Sequence, residues 1–375
     1  MRQRAFNANL HGARGLFAAL VFVFHVAHSG LPTFAGVAGS WFDTYLLGSL
    51  KFGVELFFGI SGYVIVGALA RAPSVRAFAW DRATRIYPVL WLSLLAIIAV
   101  ALATGRWLPR PGQVLLNFLP PPPFVSTGQI NPAAWSLGYE LTFYAMAASF
   151  WWLRQRGVRW WRVGAWLAAV PMIILFPRAI LIPAGIAIAL GAGSHPAITR
   201  LSRHPLSLTL VFLLLWRWID LTSDNLRTFN PVNHPVGEWL AFLPVLLIAG
   251  ALGALGLAGM AAGQGGLGRL LRTRALQRLG TMSYSFYLLH PVVMAGVKAV
   301  LQHMHAPDYL GPWSQLVFAL LCLPPILLVA HWSQLLVEAR LTRWLRRHGP
   351  REDRGESPLT TRQPDGAPVA PELPR

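Results

Sequence analysis

Ten stretches of this chain are apolar over nearly the width of a bilayer, and that decides the fold class before any motif is read. About 20 consecutive apolar residues cross the hydrocarbon core as a helix. Runs of this kind lie near residues 13–30, 48–70, 84–104, 133–153, 160–177, 178–193, 205–221, 237–260, 281–301 and 312–339. Only 12% of the 375 residues are charged, 55% are hydrophobic, and the mean hydropathy is +0.49. In lipid every backbone polar group must be satisfied within its own segment, so such runs fold as helices. The sequence therefore predicts an all-α integral membrane protein of about ten transmembrane helices. The same composition excludes a disordered chain and a soluble nucleic-acid-binding domain with a polar surface.

A net charge of +18 would fit a nucleic-acid partner only if the basic residues formed one surface. Instead they sit in short clusters between the apolar runs. With ten crossings and both termini cytoplasmic, 25 of the 32 basic residues fall on the inner side. The other seven are Lys51, Arg106, Arg110, Arg178, Arg217, Arg227 and Lys298. That asymmetry follows the positive-inside rule, so the expected setting is a multi-pass protein of the cell's inner (plasma) membrane, with the lipid bilayer as partner and no nucleic acid. Arg14 and His25 within the first run argue for a retained helix rather than a cleaved signal peptide. Residues 1–348 read as one transmembrane domain and 349–375, rich in Pro, Gly and charge, as a disordered cytoplasmic tail. The outer connections near 105–132 and 222–236 are the longest, and they are where any selection of a ligand from the outer side is expected.

Ionisable residues inside spans are costly unless paired or hydrated, which makes each one a functional candidate. Arg14 and His25 are eleven residues apart, which returns them to one helical face about 16 Å apart along the axis. Arg14 is thus expected at the cytoplasmic mouth and His25 near mid-membrane. Arg82 and Arg85, spaced i, i+3 at the start of the third run, point the same way. They suit either a phosphate, through bidentate bonds, or a plain anchor at the inner surface. In the fourth run Ser136, Glu140 and Tyr144 form a polar stripe in which the carboxylate needs a partner. Glu55 stands one turn from Lys51, and the two could satisfy each other. In the ninth run Ser283, Tyr287 and His290 share a face, and Pro291 interrupts the helix beside them.

An arginine-lined mouth with a histidine deeper on the same face fits a long anionic donor such as acyl-CoA, its phosphates at the mouth and its thioester inside. The imidazole would serve as a general base on an acceptor hydroxyl or as a nucleophile on the thioester, and the sequence leaves both open. A reading from another class also fits: a proton-coupled transporter or flippase in which His25, Glu55 and Glu140 relay protons. His303 and His305 read as an interfacial pair, and no cluster has the spacing of a metal site. Cys322, the single cysteine, reads as a small buried apolar residue.

These residues also resemble the acyltransferase-3 family of integral-membrane O-acyltransferases. Leu10-His11-Gly12-Ala13-Arg14 through His25 resembles its Arg-x10-His element, and Gly53-Val54-Glu55 through Tyr63 its second-helix signature. Arg82, Arg85 and Pro88 resemble its arginine pair, Trp135-Ser136-Leu137-Gly138-Tyr139-Glu140 its fourth-helix motif, and Ser283-Tyr284 through Tyr287 and His290 its late element. The resemblance implies an O-acyltransferase moving an acyl group, expected to be acetyl, from cytoplasmic acyl-CoA to a hydroxyl of a carbohydrate, glycolipid or similar acceptor. It implies His25 as the catalytic residue, with Glu140 and His290 assisting. Arg14, Arg82 and Arg85 would position the donor, with Glu55, Ser136, Tyr144 and Tyr287 as further binding residues. Acyl-CoA would be a co-substrate, and no resident cofactor is expected. Two departures stand out: His11 and Glu55 occupy positions where the family often has Asp, and His11 leaves open how the mouth of the first helix is held.

Overall fold

The computed structural model describes residues 6–104, 109–123, 125, 128–222 and 236–349. Residues 223–235 and 350–375 therefore lie outside the described part, as do Arg106 and Arg227, so the expectations for the second outer loop and the tail fall there. Every one of the ten apolar runs is helical: α1 Ala8–Ala27, α2 Gly53–Arg71, α3 Val75–Thr104, α4 Trp135–Gln155, α5 Trp161–Leu175, α6 Leu181–Leu190, α7 Pro205–Thr222, α8 Val236–Ala261, α9 Ser283–His303 and α10 Ser314–Ser333. Among the described residues there is no β-strand.

Among the described residues seven segments are both long and apolar enough to span a bilayer. They fall on α1, α2, α3, α7, α8, α9 and α10, with α2 extended back to Phe42 and α10 lying within Ala306–Arg347. The other three fall short for identifiable reasons. Helix α4 has 21 residues but carries the Ser136–Glu140–Tyr144 stripe, which lowers its hydropathy. Helices α5 and α6 have 15 and 10 residues, broken at Pro177–Ala179 by a turn of 3-10 helix. The third run also starts earlier than expected, since α3 begins at Val75 and places Arg82 and Arg85 well inside it.

Helix α1 is central, packing on α2, α9, α10 and the short helices Gly265–Leu271 and Arg274–Thr281. It begins where Asn7 accepts a bond from the Leu10 amide at 3.1 Å, satisfying one of the free N–H groups of the first turn. Its mouth is held by short polar bonds. His11 Nε2 lies 3.1 Å from Thr281 Oγ1 and 3.2 Å from the Gln277 carbonyl, and Arg272 donates to Asn9 at 2.8 Å. His11 thus ties the mouth of α1 to the helix Arg274–Thr281.

The helices meet through small residues and repaired prolines. A Cβ on Gly185 would stand 1.9 Å from the Gly59 carbonyl, and one on Gly62 2.1 Å from that of Ile182. Backbones can approach that closely only without side chains, the usual basis of tight helix pairs in lipid. Pro88 lacks an N–H and so frees the Thr84 carbonyl one turn back, which accepts instead from Thr342 Oγ1 at 2.9 Å. The exterior is apolar as lipid requires, with Leu95, Leu102, Leu167 and Leu320 all exposed. Cys322 is buried in the interior against such residues as Phe318 and Ile326.

Candidate active site

A cavity of about 70 Å³ opens between α1, α2, α3, α4 and α9. Arg14, Arg85, Ser136, Glu140, Tyr144 and Tyr287 all line it, so α1, α3, α4 and α9 bring together six of the ten candidate site residues. Arg14 Nε donates to Ser283 Oγ at 3.2 Å, which fixes the guanidinium against the first turn of α9. Glu140 accepts from Ser61 Oγ at 3.2 Å and from the Tyr144 hydroxyl one turn along α4. Ser136 Oγ and Tyr287 Oη are 3.3 Å apart and join α4 to α9. The carboxylate of Glu140 is thus held by hydroxyls of α2 and α4, while the two arginines balance its charge across the cavity.

His25 and His290 stand beyond the wall formed by Tyr287, whose ring is 6.1 Å from that of His290. Their own ring centroids are 4.9 Å apart. The hydrogen bonds assign their tautomers. His25 Nδ1 is 2.8 Å from the Val21 carbonyl, which can only accept, so Nδ1 carries the proton. By the same argument His290 Nδ1 donates to the Phe286 carbonyl at 3.2 Å. His290 Nε2 is then bare and stands 3.3 Å from His25 Nδ1, whose single proton it shares as the longer arm of a bifurcated bond. The neutral pair therefore leaves the Nε2 lone pair of His25 as its basic, nucleophilic position. His290 is fully buried and His25 half-buried, so His25 is the member that a substrate can reach.

The acyltransferase domain family matches residues 7–331 of this chain. The chain belongs to that family. This acyltransferase is 27% identical to acyltransferase MdmB of Streptomyces mycarofaciens over 312 residues, 76% of this chain and 78% of the relative. It is 37% identical over 107 residues to the exopolysaccharide production protein ExoZ of Rhizobium meliloti, 26% of this chain and 32% of the relative. It is 28% identical over 176 residues to nodulation protein 10 of Rhizobium leguminosarum, 41% and 46% of the two chains. No solved structure matches it.

Two sequence expectations come out differently in the acyltransferase. Arg82 does not join Arg85 at the cavity. It bonds to its neighbour Asp81, which also binds Arg346 at 2.6 Å, and its guanidinium lies 5.7 Å from the Tyr144 ring. Three residues on a helix amount to about 300° of rotation, enough to send two long side chains to different partners. Nor do Lys51 and Glu55 pair. Lys51 binds Asp220 at 2.7 Å, which Arg217 also holds at 2.8 Å. Glu55 is buried beside the cavity wall and accepts from Arg178 Nε at 2.5 Å, the guanidinium lying 3.7 Å from the Trp135 ring. The break in the helix between Lys51 and Glu55, a 3-10 turn at Leu50–Phe52, undoes the i, i+4 geometry.

Sequence reasoning missed several residues that hold the site. Asn131, fully buried, donates to Ser93 Oγ and to the Leu288 carbonyl, both at 2.9 Å, and accepts from the Ala133 amide. Its one local signal is Asn before Pro132, a helix-start pattern. Glu338 lies in a π-helical stretch, Gln334–Leu341, and accepts from both the amide and the hydroxyl of Ser285 at 3.2 and 2.6 Å. Ser285 is the third residue of α9, so Glu338 satisfies a free N–H of the helix that carries Tyr287 and His290.

Proposed function

We propose that this acyltransferase moves an acyl group, acetyl in the first instance, from cytoplasmic acyl-CoA to a hydroxyl of a carbohydrate or glycolipid. The observation that carries this reading is the tautomer-fixed His25–His290 pair just behind a cavity bearing two arginines. In the proposed step the acceptor O–H gives its proton to His25 Nε2 as its oxygen attacks the thioester carbonyl. The C–S bond then breaks, and the CoA thiolate takes that proton from the imidazolium. A cavity of about 70 Å³ admits the thioester end and not a nucleotide, so the phosphates stay at the mouth. There Arg14 and Arg85 draw in the pantetheine arm. Arg82, turned toward Asp81, steadies the base of α3 and acts on the donor only through that support. Ser136, Tyr144 and Tyr287 shape the cavity and keep Glu140 oriented, while Glu55 and Arg178 brace its wall.

The proposed path sets ten helices in the inner membrane with both termini in the cytoplasm, as the charge asymmetry supports, so donor and acceptor come from opposite sides. The relative named for exopolysaccharide production favours a carbohydrate acceptor. The test uses reconstituted protein and acetyl-CoA labelled in the acetyl group. Label release or transfer should be lost in His25→Ala, and donor binding should weaken in Arg14→Ala while the fold is kept. A fully active His25→Ala overturns the central assignment. An acyl-enzyme trapped in wild type but not in His25→Ala would replace the base with a nucleophile.

A further inference from the structure

A second and roomier hollow lies at the end of α1 opposite Arg14. It measures about 420 Å³, within the range of small-molecule sites, and Ala27, Gly30, Leu31, Thr33, Asp43 and Gln315 are among its lining. Along the axis of α1, His25 falls between Arg14 of the first, about 16 Å away, and Ala27 of the second, about 3 Å in the other direction and about 200° around the helix; its ring lines neither hollow.

The chemistry of this hollow is one-sided. Gln315 spends both its amide hydrogens on the last carbonyls of α1 and the turn after it, donating to Ala27 at 2.9 Å and Leu31 at 3.2 Å. Its Oε1 has no hydrogen-bond partner among the described residues. Asp43 uses Oδ2 to accept from the Gly39 amide at 3.0 Å, while Oδ1 stands 4.0 Å from His28 Nε2. His28 Nδ1 donates to the Phe24 carbonyl, so its Nε2 is also an acceptor when neutral. The lining therefore presents acceptors and holds no Lys or Arg, while Lys298, at the rim beside Gly30, donates to the Ser29 carbonyl at 2.6 Å. An anionic ligand is disfavoured, and a ligand rich in O–H donors is matched. Next in sequence to the lining residue Thr33, Phe34 meets Trp313 edge-to-face at 4.8 Å, both rings partly exposed. The connecting loop turns on Gly30, Gly36 and Gly39, each at positive φ, which lets the backbone fold around the hollow.

We propose that this hollow is the acceptor subsite and takes a neutral sugar ring, its hydroxyls bound by Asp43, Gln315 and Thr33 at the same end of α1 as His25. The inference rests on the acyl-transfer reading above and adds to it the place and chemistry of the acceptor. It locates acceptor choice in the 29–45 segment and the start of α10 rather than in the longer loops.

The experiment measures binding of methyl β-D-glucopyranoside, methyl β-D-galactopyranoside and methyl α-L-rhamnopyranoside to the full chain in nanodiscs by saturation-transfer NMR. Glucosamine and glucose 1-phosphate serve as charged controls, and acetyl-CoA binding is followed in parallel. At least one neutral glycoside should bind. Its affinity should fall tenfold or more in Asp43→Asn and in Ala38→Trp, a change at a further lining residue that fills the hollow without removing a bond, while acetyl-CoA binding changes less than twofold. No glycoside binding, equal binding in Ala38→Trp, or preference for either charged control overturns the subsite. Glycoside binding with the expected losses but no acetyl-CoA binding in wild type would keep the subsite and overturn the donor assignment instead.

Discussion

Arg178→Ala should be among the most damaging single changes outside the cavity, and Lys51→Ala should be nearly silent. Glu55 is 0% exposed, and its only hydrogen bond from a side chain is the one from Arg178, Oε2 having no partner among the described residues. Removing the arginine leaves a buried carboxylate uncompensated, which costs about 3–5 kcal/mol. Lys51 is the opposite case. It is 24% exposed, and Asp220 keeps Arg217 at 2.8 Å after the lysine is gone, so the loss is about 0.2–1 kcal/mol. At roughly 2 °C per kcal/mol for a chain of this size, the expected shifts are about 6–10 °C and at most about 2 °C. Heating detergent-solubilised protein and following the monodisperse fraction by fluorescence-detected gel filtration would resolve them. The double variant Glu55→Gln, Arg178→Gln should recover part of the loss, because the buried charge is removed with its partner. Equal shifts for Lys51→Ala and Arg178→Ala, or a double variant no better than Arg178→Ala, would refute the pairing.

Two further changes separate positioning from chemistry. His290→Ala removes one neutral hydrogen bond to His25, worth about 0.5–1.5 kcal/mol, so kcat should fall roughly 2- to 13-fold with the donor KM unchanged. Steady-state kinetics showing a loss as deep as that of His25→Ala would instead put His290 in the proton path. Glu338→Ala should lower both melting temperature and kcat, since two bonds to a charged acceptor are lost at the start of α9. Glu338→Gln keeps an accepting oxygen and should restore most of both; equal damage from the two would make charge, not acceptance, the requirement.

What could be read in the sequence was whatever depends on spacing along one helix. The stripe of Ser136, Glu140 and Tyr144 does face one cavity, and Arg14 and His25 do sit on one continuous helix. What could not be read was pairing between helices. Glu55 and Arg178 are 123 residues apart, and Asn131 reaches Leu288 across 157. A local partner existed for Glu55 in Lys51, and the 3-10 turn between them removed it. Glu338 was hidden for a related reason: a π-helical stretch changes the angle per residue, so a face computed at 3.6 residues per turn misplaces it.

The shortness of α5 and α6 has a consequence for the bilayer itself. Ten residues of α6 rise about 15 Å and fifteen of α5 about 22 Å, against a hydrocarbon thickness near 30 Å. Helix α6 is sheltered by α2 and α8, with Leu181, Ile182 and Ile188 buried, so it need not meet lipid at its full depth. A hairpin that dips in and returns changes the side of no later segment, because two crossings and none have the same parity. The inside–outside count is therefore blind to it. Its tip is Pro177-Arg178, and the partner Glu55 stands near the middle of a 30-residue span. An arginine counted as an outer-loop charge would then be a mid-membrane one, and hydrophobic mismatch around this hairpin becomes a property of the site's wall.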